Sequence, residues 1–409
     1  MSDPRRIVDL VPGETPGFLP KESLDALVQA LRGDGYTVIA PTRADDVIAL
    51  RPLTTAGEIA RGLLDEQSPG SYRLHEGNPR MYFQYVIGAD SPRQHFMPPQ
   101  QRLYQITVKG DRFETRTLYG APEKTAFLGI RPCDLAAISV QDRVFGYGQP
   151  MAEFRCESEP AYYAARARSL LIVVECTRPG GNCFCDSMGT GPWARNDGFD
   201  LAMTELTQGF IVRPGTDAGR KLLARLNPRP ASAEEVELAE LKLAQAREHM
   251  GRRLETEGIV DLLNRTIEHH RWAEVAERCL ACGNCTLVCP TCFCTTVFDE
   301  TDLNGDVTRV RQHESCFAHQ FSYTTSGPLR SSIRGRYRHW LRHKLGTWWE
   351  QFGTSGCVGC GRCITWCPVG IDLTEEVQAL REDGRAGSAA SARRPGPPLV
   401  AAGRAGGAP

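Results

Sequence analysis

The sequence predicts two folded units: a mixed α+β or α/β unit over residues 1–250 and a mainly helical, cysteine-rich unit over residues 251–383. A disordered tail is expected at 384–409. Three observations carry this. Between residues 126 and 176 a strand, helices and a second strand follow one another as in a parallel crossover. The 16 cysteines of the 409-residue chain are placed unevenly, none before residue 133, five from 133 to 185, none from 186 to 278, and eleven from 279 to 367. Residues 231–250, charged and alanine-rich with neither glycine nor proline, separate the two groups and place the boundary near 230–255.

Taken in order, Leu24, Leu27, Val28 and Leu31 recur at helical spacing up to Gly33, and residues 36–40 read as a short strand ended by Pro41. Residues 42–100 carry no clear period. Residues 103–108 and 113–118 flank Lys109-Gly110-Asp111 as a hairpin. Residues 126–130 are a buried strand leading through Arg131-Pro132-Cys133 to Asp134, read as the N-cap of a helix through Leu135, Ile138 and Val144. A helix at 162–168 then feeds a strand at 170–176. Cys133 and Cys176 therefore fall at the carboxyl ends of parallel strands, the edge where open α/β sheets hold ligands, and Cys183 and Cys185 follow in one loop. Strand signals recur at 199–203 and 210–212, and residues 217–277 read as helical. Beyond Asp383 glycine, alanine, proline, serine and arginine leave too little apolar surface to fold.

Composition excludes several classes. A formal charge of −1 supplies no global field for nucleic acid or an anionic membrane. The longest apolar run, residues 170–174, is far short of a membrane span. Arg5-Arg6 is not followed by an apolar region, so no export signal is read and a cytoplasmic location is expected. In a reducing compartment, clustered cysteines point to metal ligands or reactive thiols rather than disulfides. There is no dinucleotide fingerprint and no P-loop, and Met188-Gly-Thr-Gly-Pro192 is too short for either, so it reads as a tight turn. No residue is assigned a catalytic role.

The chemistry lies in two runs. Cys279-Leu-Ala-Cys282-Gly-Asn-Cys285-Thr-Leu-Val-Cys289-Pro290 and Cys357-Val-Gly-Cys360-Gly-Arg-Cys363-Ile-Thr-Trp-Cys367-Pro368 share the spacing C-x2-C-x2-C-x3-C-P. That spacing lets one turning loop deliver three thiolates to a 4Fe-4S cubane, while the fourth cysteine of each run ligates the other cluster. The expected ligands are Cys279, Cys282, Cys285 and Cys367 for cluster 1, and Cys357, Cys360, Cys363 and Cys289 for cluster 2. Gly283 and Gly361 let the backbone bend close and aim amides at the cluster sulfurs. Zinc sites, the competing reading, space two pairs apart and do not need four cysteines in eleven residues. The carboxyl-terminal unit is thus expected to be ferredoxin-like. Cys133, Cys176, Cys183 and Cys185 would suit a third 4Fe-4S cluster, with zinc or redox-active thiols as the alternatives. Cys292, Cys294 and Cys316 are read mainly as packing thiols, with an additional site as the lesser reading, and Cys156 as a spectator.

Between the runs, residues 296–299 and 307–311 flank Asn304-Gly305 as a hairpin, and the string from Glu300 lacks the carboxylate that a calcium loop needs at its twelfth position, Arg311. Residues 330–344 are strongly basic, read first as a solvated helix face and second as a docking or anion surface. Five of six tryptophans fall between 272 and 366, read as a dry shell around the clusters.

Gly129-Ile-Arg-Pro-Cys-Asp134, Cys183-Phe-Cys-Asp-Ser-Met-Gly-Thr-Gly-Pro192, Cys289-Pro-Thr-Cys-Phe-Cys294, Glu314-Ser-Cys316 and His343-Lys344 ahead of the second run together resemble the iron–sulfur beta subunit of cytoplasmic nickel–iron sulfhydrogenases. The same pattern resembles the iron–sulfur subunit of anaerobic sulfite reductase. The resemblance covers residues 125–375 and implies a helical ferredoxin domain in an electron-transfer subunit. Such a protein sits between a flavin subunit that handles NAD(P)H and a catalytic subunit that handles hydrogen, sulfur or sulfite. A stand-alone sulfur or sulfite reductase and a nucleic-acid-binding regulator are the competing classes.

Overall fold

A computed structural model describes residues 15–120, 122–147, 159–194 and 198–391, with side chains described up to residue 382. Cys156 lies outside the described residues. The amino-terminal unit is built on an eight-stranded sheet whose spatial order is Arg229–Pro230, Gly17–Pro20, Gly209–Pro214, Leu201–Glu205, Ser169–Val174, Thr125–Ile130, Thr37–Ala44 and Val47–Leu53. Its four central strands run parallel: Thr37 pairs with Thr125, Thr125 with Ser169, and Leu201 with Ile172. The expected crossover is present, formed by the helices Pro132–Val144 and Pro160–Ala167.

Alternation along Ser169–Val174 places the core on both faces. Leu170, Ile172 and Val174 pack with the helices Ser23–Gly33 and Asp217–Leu226, whereas Leu171 and Val173 pack with Leu135, Ile138 and Tyr162 from the crossover. All four periodic residues of the first helix, Leu24, Leu27, Val28 and Leu31, are buried. Thr37–Ala44 differs from expectation in running through Pro41. Pairing with Thr125–Ile130 stops at Ile39, so Pro41 lies where that side of the strand has no neighbour to receive an N–H, and pairing with Val47–Leu53 continues to Ala44.

A second sheet crosses the boundary drawn from sequence. Gln100–Lys109 pairs with Arg112–Thr117 and, on its other side, with Val307–His313, which pairs with Thr295–Thr301. Both hairpins were expected; their pairing was not. Residues 251–383 are therefore helical at both ends, with Ile259–Arg265, Arg271–Arg278, Ile333–Arg342 and Leu373–Ser391, but carry strands in the middle. The last helix, Leu373–Ser391, runs past Asp383, and residues 392–409 lie outside the described residues.

Candidate metal centre

The two cysteine runs fold into the same turn. In the first, Cys279 caps the helix Arg271–Arg278, Ala281 and Gly283 take positive φ of 52° and 79°, and the short helix Asn284–Leu287 carries Cys285. In the second, Gly359 and Gly361 take φ of 66° and 75° ahead of Arg362–Thr365, which carries Cys363. The amides that reach sulfur come from the residues before the expected glycines: Ala281 N–H donates to Cys279 Sγ at 3.4 Å and Gly359 N–H to Cys357 Sγ at 3.4 Å. Ile371 N–H donates to Cys367 Sγ at 3.3 Å. Amides aimed at thiolate sulfur lower the energy of its negative charge.

Because Ala281 already occupies a left-handed position, Ala281→Gly is expected to stay within about 1 kcal/mol of neutral. Gly359→Ala is different. Its Cβ would meet Phe184 O at 2.6 Å and Cys185 N at 2.7 Å, both backbone atoms, at φ +66°. That variant should lose about 3 kcal/mol or more. Urea midpoints of the two variants check the contrast; equal midpoints would contradict it.

Cys279, Cys282, Cys285 and Cys367 line one hollow, walled by Phe317, Tyr337 and Trp340. Cys363 also reaches its wall. Asn284 Nδ2 donates to Trp366 O at 3.1 Å and ties the loops together. Burial, followed by the nearby thiols of Cys279, Cys367 and Cys282, holds Cys285 well above the usual thiol range. The same causes act on Cys363, whose first thiol neighbours are Cys357, Cys360 and Cys289. The geometry thus brings Cys367 to the first loop and Cys289 toward the second. Cys289 also hydrogen-bonds to Cys292, which sequence reasoning set apart.

The amino-terminal thiols gather at the expected sheet edge. Cys133 lies in the first turn of Pro132–Val144, though the N-cap is Arg131, not Asp134: Pro132 takes the first helical position. Asp134 instead stands three residues on, and its carboxylate receives Arg131 N–H at 3.3 Å. Burial raises all four thiols, Cys183 to about 12, and the thiols of Cys176, Cys183 and Cys185 act on one another. Cys360 is a neighbour of Cys133, Cys183 and Cys185, and packs in one cluster with Cys133 and Cys185.

Residues 179–190 are stitched onto the second run. Phe184 N–H donates to Gly359 O at 2.8 Å, Thr190 Oγ1 to Val358 O at 2.6 Å, and Asn182 Nδ2 to Thr365 Oγ1 at 2.8 Å. Beneath Cys133 and Cys360 lies a buried ion pair, Arg362 to Asp134 at 2.8 Å. Sequence reasoning missed the hairpin Leu63–Ser68 and Ser71–Glu76, which braces the same run. Gln67 accepts from Thr365 Oγ1 at 2.8 Å, Gly70 N–H reaches Ile364 O at 3.0 Å, and Tyr72 stacks on Trp366 at 5.6 Å.

The basic segment divides between surface and interior. Arg334 and Arg338 pair with Glu268 on the outside, whereas Arg336 is buried on Phe317 O and Lys344 is buried against thiols. The solvated-face reading therefore holds for only part of it. Trp272, Trp340 and Trp348 are buried, while Trp349 is exposed. His339 stacks on His343, and burial, followed by Arg330, His343 and Arg342, lowers its pKa to about 4. An unfolded chain binds that proton near pH 6.5, so stability should fall as pH drops from 6.5 toward 4. Urea midpoints between pH 7 and 5.5 should show a shallower pH slope for His339→Gln than for the parent; an unchanged slope would contradict the assignment.

The donor set fits iron–sulfur clusters. Thiolate-rich hollows with amides on sulfur supply what a cubane needs, and buried thiols with raised pKa values become thiolates when a metal draws off their protons. Among the described residues no three Cys, His, Asp or Glu side chains converge on a point sized for a single ion. The fold and its thiols fit an iron–sulfur protein, and residues 278–371 match the family model described as a 4Fe-4S dicluster domain. Over 317 residues the chain is 28% identical to sulfhydrogenase 2 subunit beta of Pyrococcus furiosus, a span covering 76% of this chain and 90% of that protein. The chain is a homologue of that sulfhydrogenase beta subunit. No solved structure matches, and no described helix is long and apolar enough to cross a membrane.

Proposed function

We propose that the chain is the electron-transfer iron–sulfur subunit of a multi-subunit oxidoreductase. The observation that carries this reading is the contiguity of three thiol sets. Cys363 faces both loops of the dicluster domain, and Cys360 packs against Cys133 and Cys185 of the amino-terminal set. In this reading Cys279, Cys282, Cys285 and Cys367 hold cluster 1, Cys357, Cys360, Cys363 and Cys289 hold cluster 2, and Cys133, Cys176, Cys183 and Cys185 hold a third. Such clusters supply one-electron storage when bound.

The chain's own residues isolate and tune those positions. Tyr337 and Trp340 exclude water from the first hollow, amides of Ala281, Gly359 and Ile371 take up charge on sulfur, and Arg362 balances negative charge between the second and third sets. Leu280, 62% exposed, and the exposed Cys282 stand at the mouth of the first hollow. That end is where a partner would exchange electrons. The expected neighbours are a flavin subunit handling NAD(P)H and a nickel–iron hydrogenase subunit. A place in an anaerobic sulfite reductase, in its iron–sulfur subunit's position, is the alternative.

The complex, purified anaerobically with its partners, should pass electrons from hydrogen to NAD(P)⁺ or sulfur only when this chain is present. The isolated chain with a chemical donor should reduce neither sulfur nor sulfite; sustained turnover by the isolated chain would overturn the relay reading.

A further inference from the structure

Cys292, Cys294 and Cys316 are left over when twelve thiols are given to three clusters, yet the fold gathers them. Cys292 and Cys294 lead into Thr295–Thr301, and the returning strand Val307–His313 pairs so that Thr295 faces His313. Glu314 N–H then donates to Cys294 O at 2.8 Å, which brings Cys316 back beside Cys294. All three cysteines line one hollow. The hairpin between the two runs thus closes a third thiol-bearing loop within the dicluster region.

The groups around that hollow call for buried negative charge. Lys344, 5% exposed, directs its ammonium at Cys289 Sγ at 3.2 Å, Cys292 Sγ at 3.5 Å, Thr291 Oγ1 at 3.0 Å and Gly356 O at 3.2 Å. None of these partners is a carboxylate. Arg93, also 5% exposed, donates to the carbonyls of Cys292 and Leu287 and contacts His313, again with no carboxylate. An ammonium and a guanidinium buried without anions would cost several kcal/mol each, so the thiols must bear the compensating charge. Metal-bound thiols carry that charge.

Two further donors stand at the same place. The indole Nε1 atoms of Trp340 and Trp348 are buried with no hydrogen-bond partner among the described residues, and both rings line the hollow. Buried N–H groups of this kind suit the sulfides of a cluster.

We propose that Cys292, Cys294 and Cys316 would hold a further iron–sulfur cluster, with Lys344 as its buried counter-charge; His343 also lines the hollow. This inference deepens the relay reading and rests on it for the assignment of Cys289. The test is iron and acid-labile sulfide in the full chain, purified anaerobically, against Cys292→Ala/Cys294→Ala/Cys316→Ala. The triple variant should lose three to four irons and about four sulfides per chain and keep the rest. Unchanged iron would overturn the proposal, as would loss of one zinc instead.

Should the triple variant lose all iron together with its far-UV signal, Cys316→Ser, which keeps the shape of the side chain, reads the same partial loss. Full iron in that variant overturns the proposal. The total in the parent chain separates this inference from the relay reading. About sixteen irons supports both, whereas about twelve that falls to about eight in the triple variant removes the amino-terminal cluster and leaves this one standing.

Discussion

Arg362→Met is expected to destabilise the protein by about 3–5 kcal/mol and to disturb two thiol sets at once. Arg362 is 2% exposed; it donates to Asp134 Oδ1 at 2.8 Å and Oδ2 at 3.3 Å, and through Nε to Gly88 O at 3.1 Å. Without the guanidinium, a fully buried carboxylate faces the thiols of Cys133 and Cys360, which carry negative charge once a cluster is bound. Methionine replaces the volume and none of the charge. Adding Asp134→Leu should recover part of the lost stability, because an apolar pair leaves no orphaned ion, but not the lost iron. Urea unfolding and iron content of both variants check this. A single variant with parental stability and iron would show that the pair does not hold these loops.

Cys282→Ser should act in the opposite manner, abolishing transfer while sparing the fold. Cys282 is exposed at the rim of the first hollow and contributes nothing to the apolar core. Loss of a ligand should cost at least the hundredfold that disturbing the groups around a ligand costs, so electron flux through the assembled complex should fall about a hundredfold or more. This loop contributes no strand to the eight-stranded sheet, whose unfolding midpoint should not move. Retention of the full cluster spectrum and full flux would remove Cys282 from the ligand set. Cys360→Ser, buried between the second and third sets, should lower both stability and flux.

Local patterns were the readable ones. The helical period of Leu24 to Leu31, the crossover from residue 125 to 174 and the two hairpins each depend on neighbours in sequence, and each is present. What sequence could not disclose depends on distant contacts. Nothing in residues 63–76 announces that Gln67 and Tyr72 brace Thr365 and Trp366, nearly 300 positions away. Edge-to-edge pairing of Gln100–Lys109 with Val307–His313 leaves no period in either strand. Lys344 sits in a run of basic residues several of which reach solvent, and only the packing of Trp340 and Trp348 distinguishes it. Ala281 was within reach of an alignment of the two runs, since it occupies the place of Gly359. Its left-handed φ is a property of the loop rather than of alanine.

The thiol geometry was legible in part for the same reason. Within a run, three cysteines of one loop are fixed by spacing; between runs, the meeting of Cys360 with Cys133 and Cys185 requires the fold. Residues 179–190 gave two cysteines and a turn. That they lie across the second run follows from Gly359 and Gly361, where a Cβ would strike Phe184 O at 2.6 Å and Asn182 O at 2.3 Å.

That these thiols hold iron–sulfur clusters is tested most directly by metal and sulfide analysis of the chain purified without oxygen. Iron and acid-labile sulfide are expected in about equal amounts, at least about eight of each per chain, with no stoichiometric zinc. Zinc in place of iron, or iron without sulfide, would contradict it.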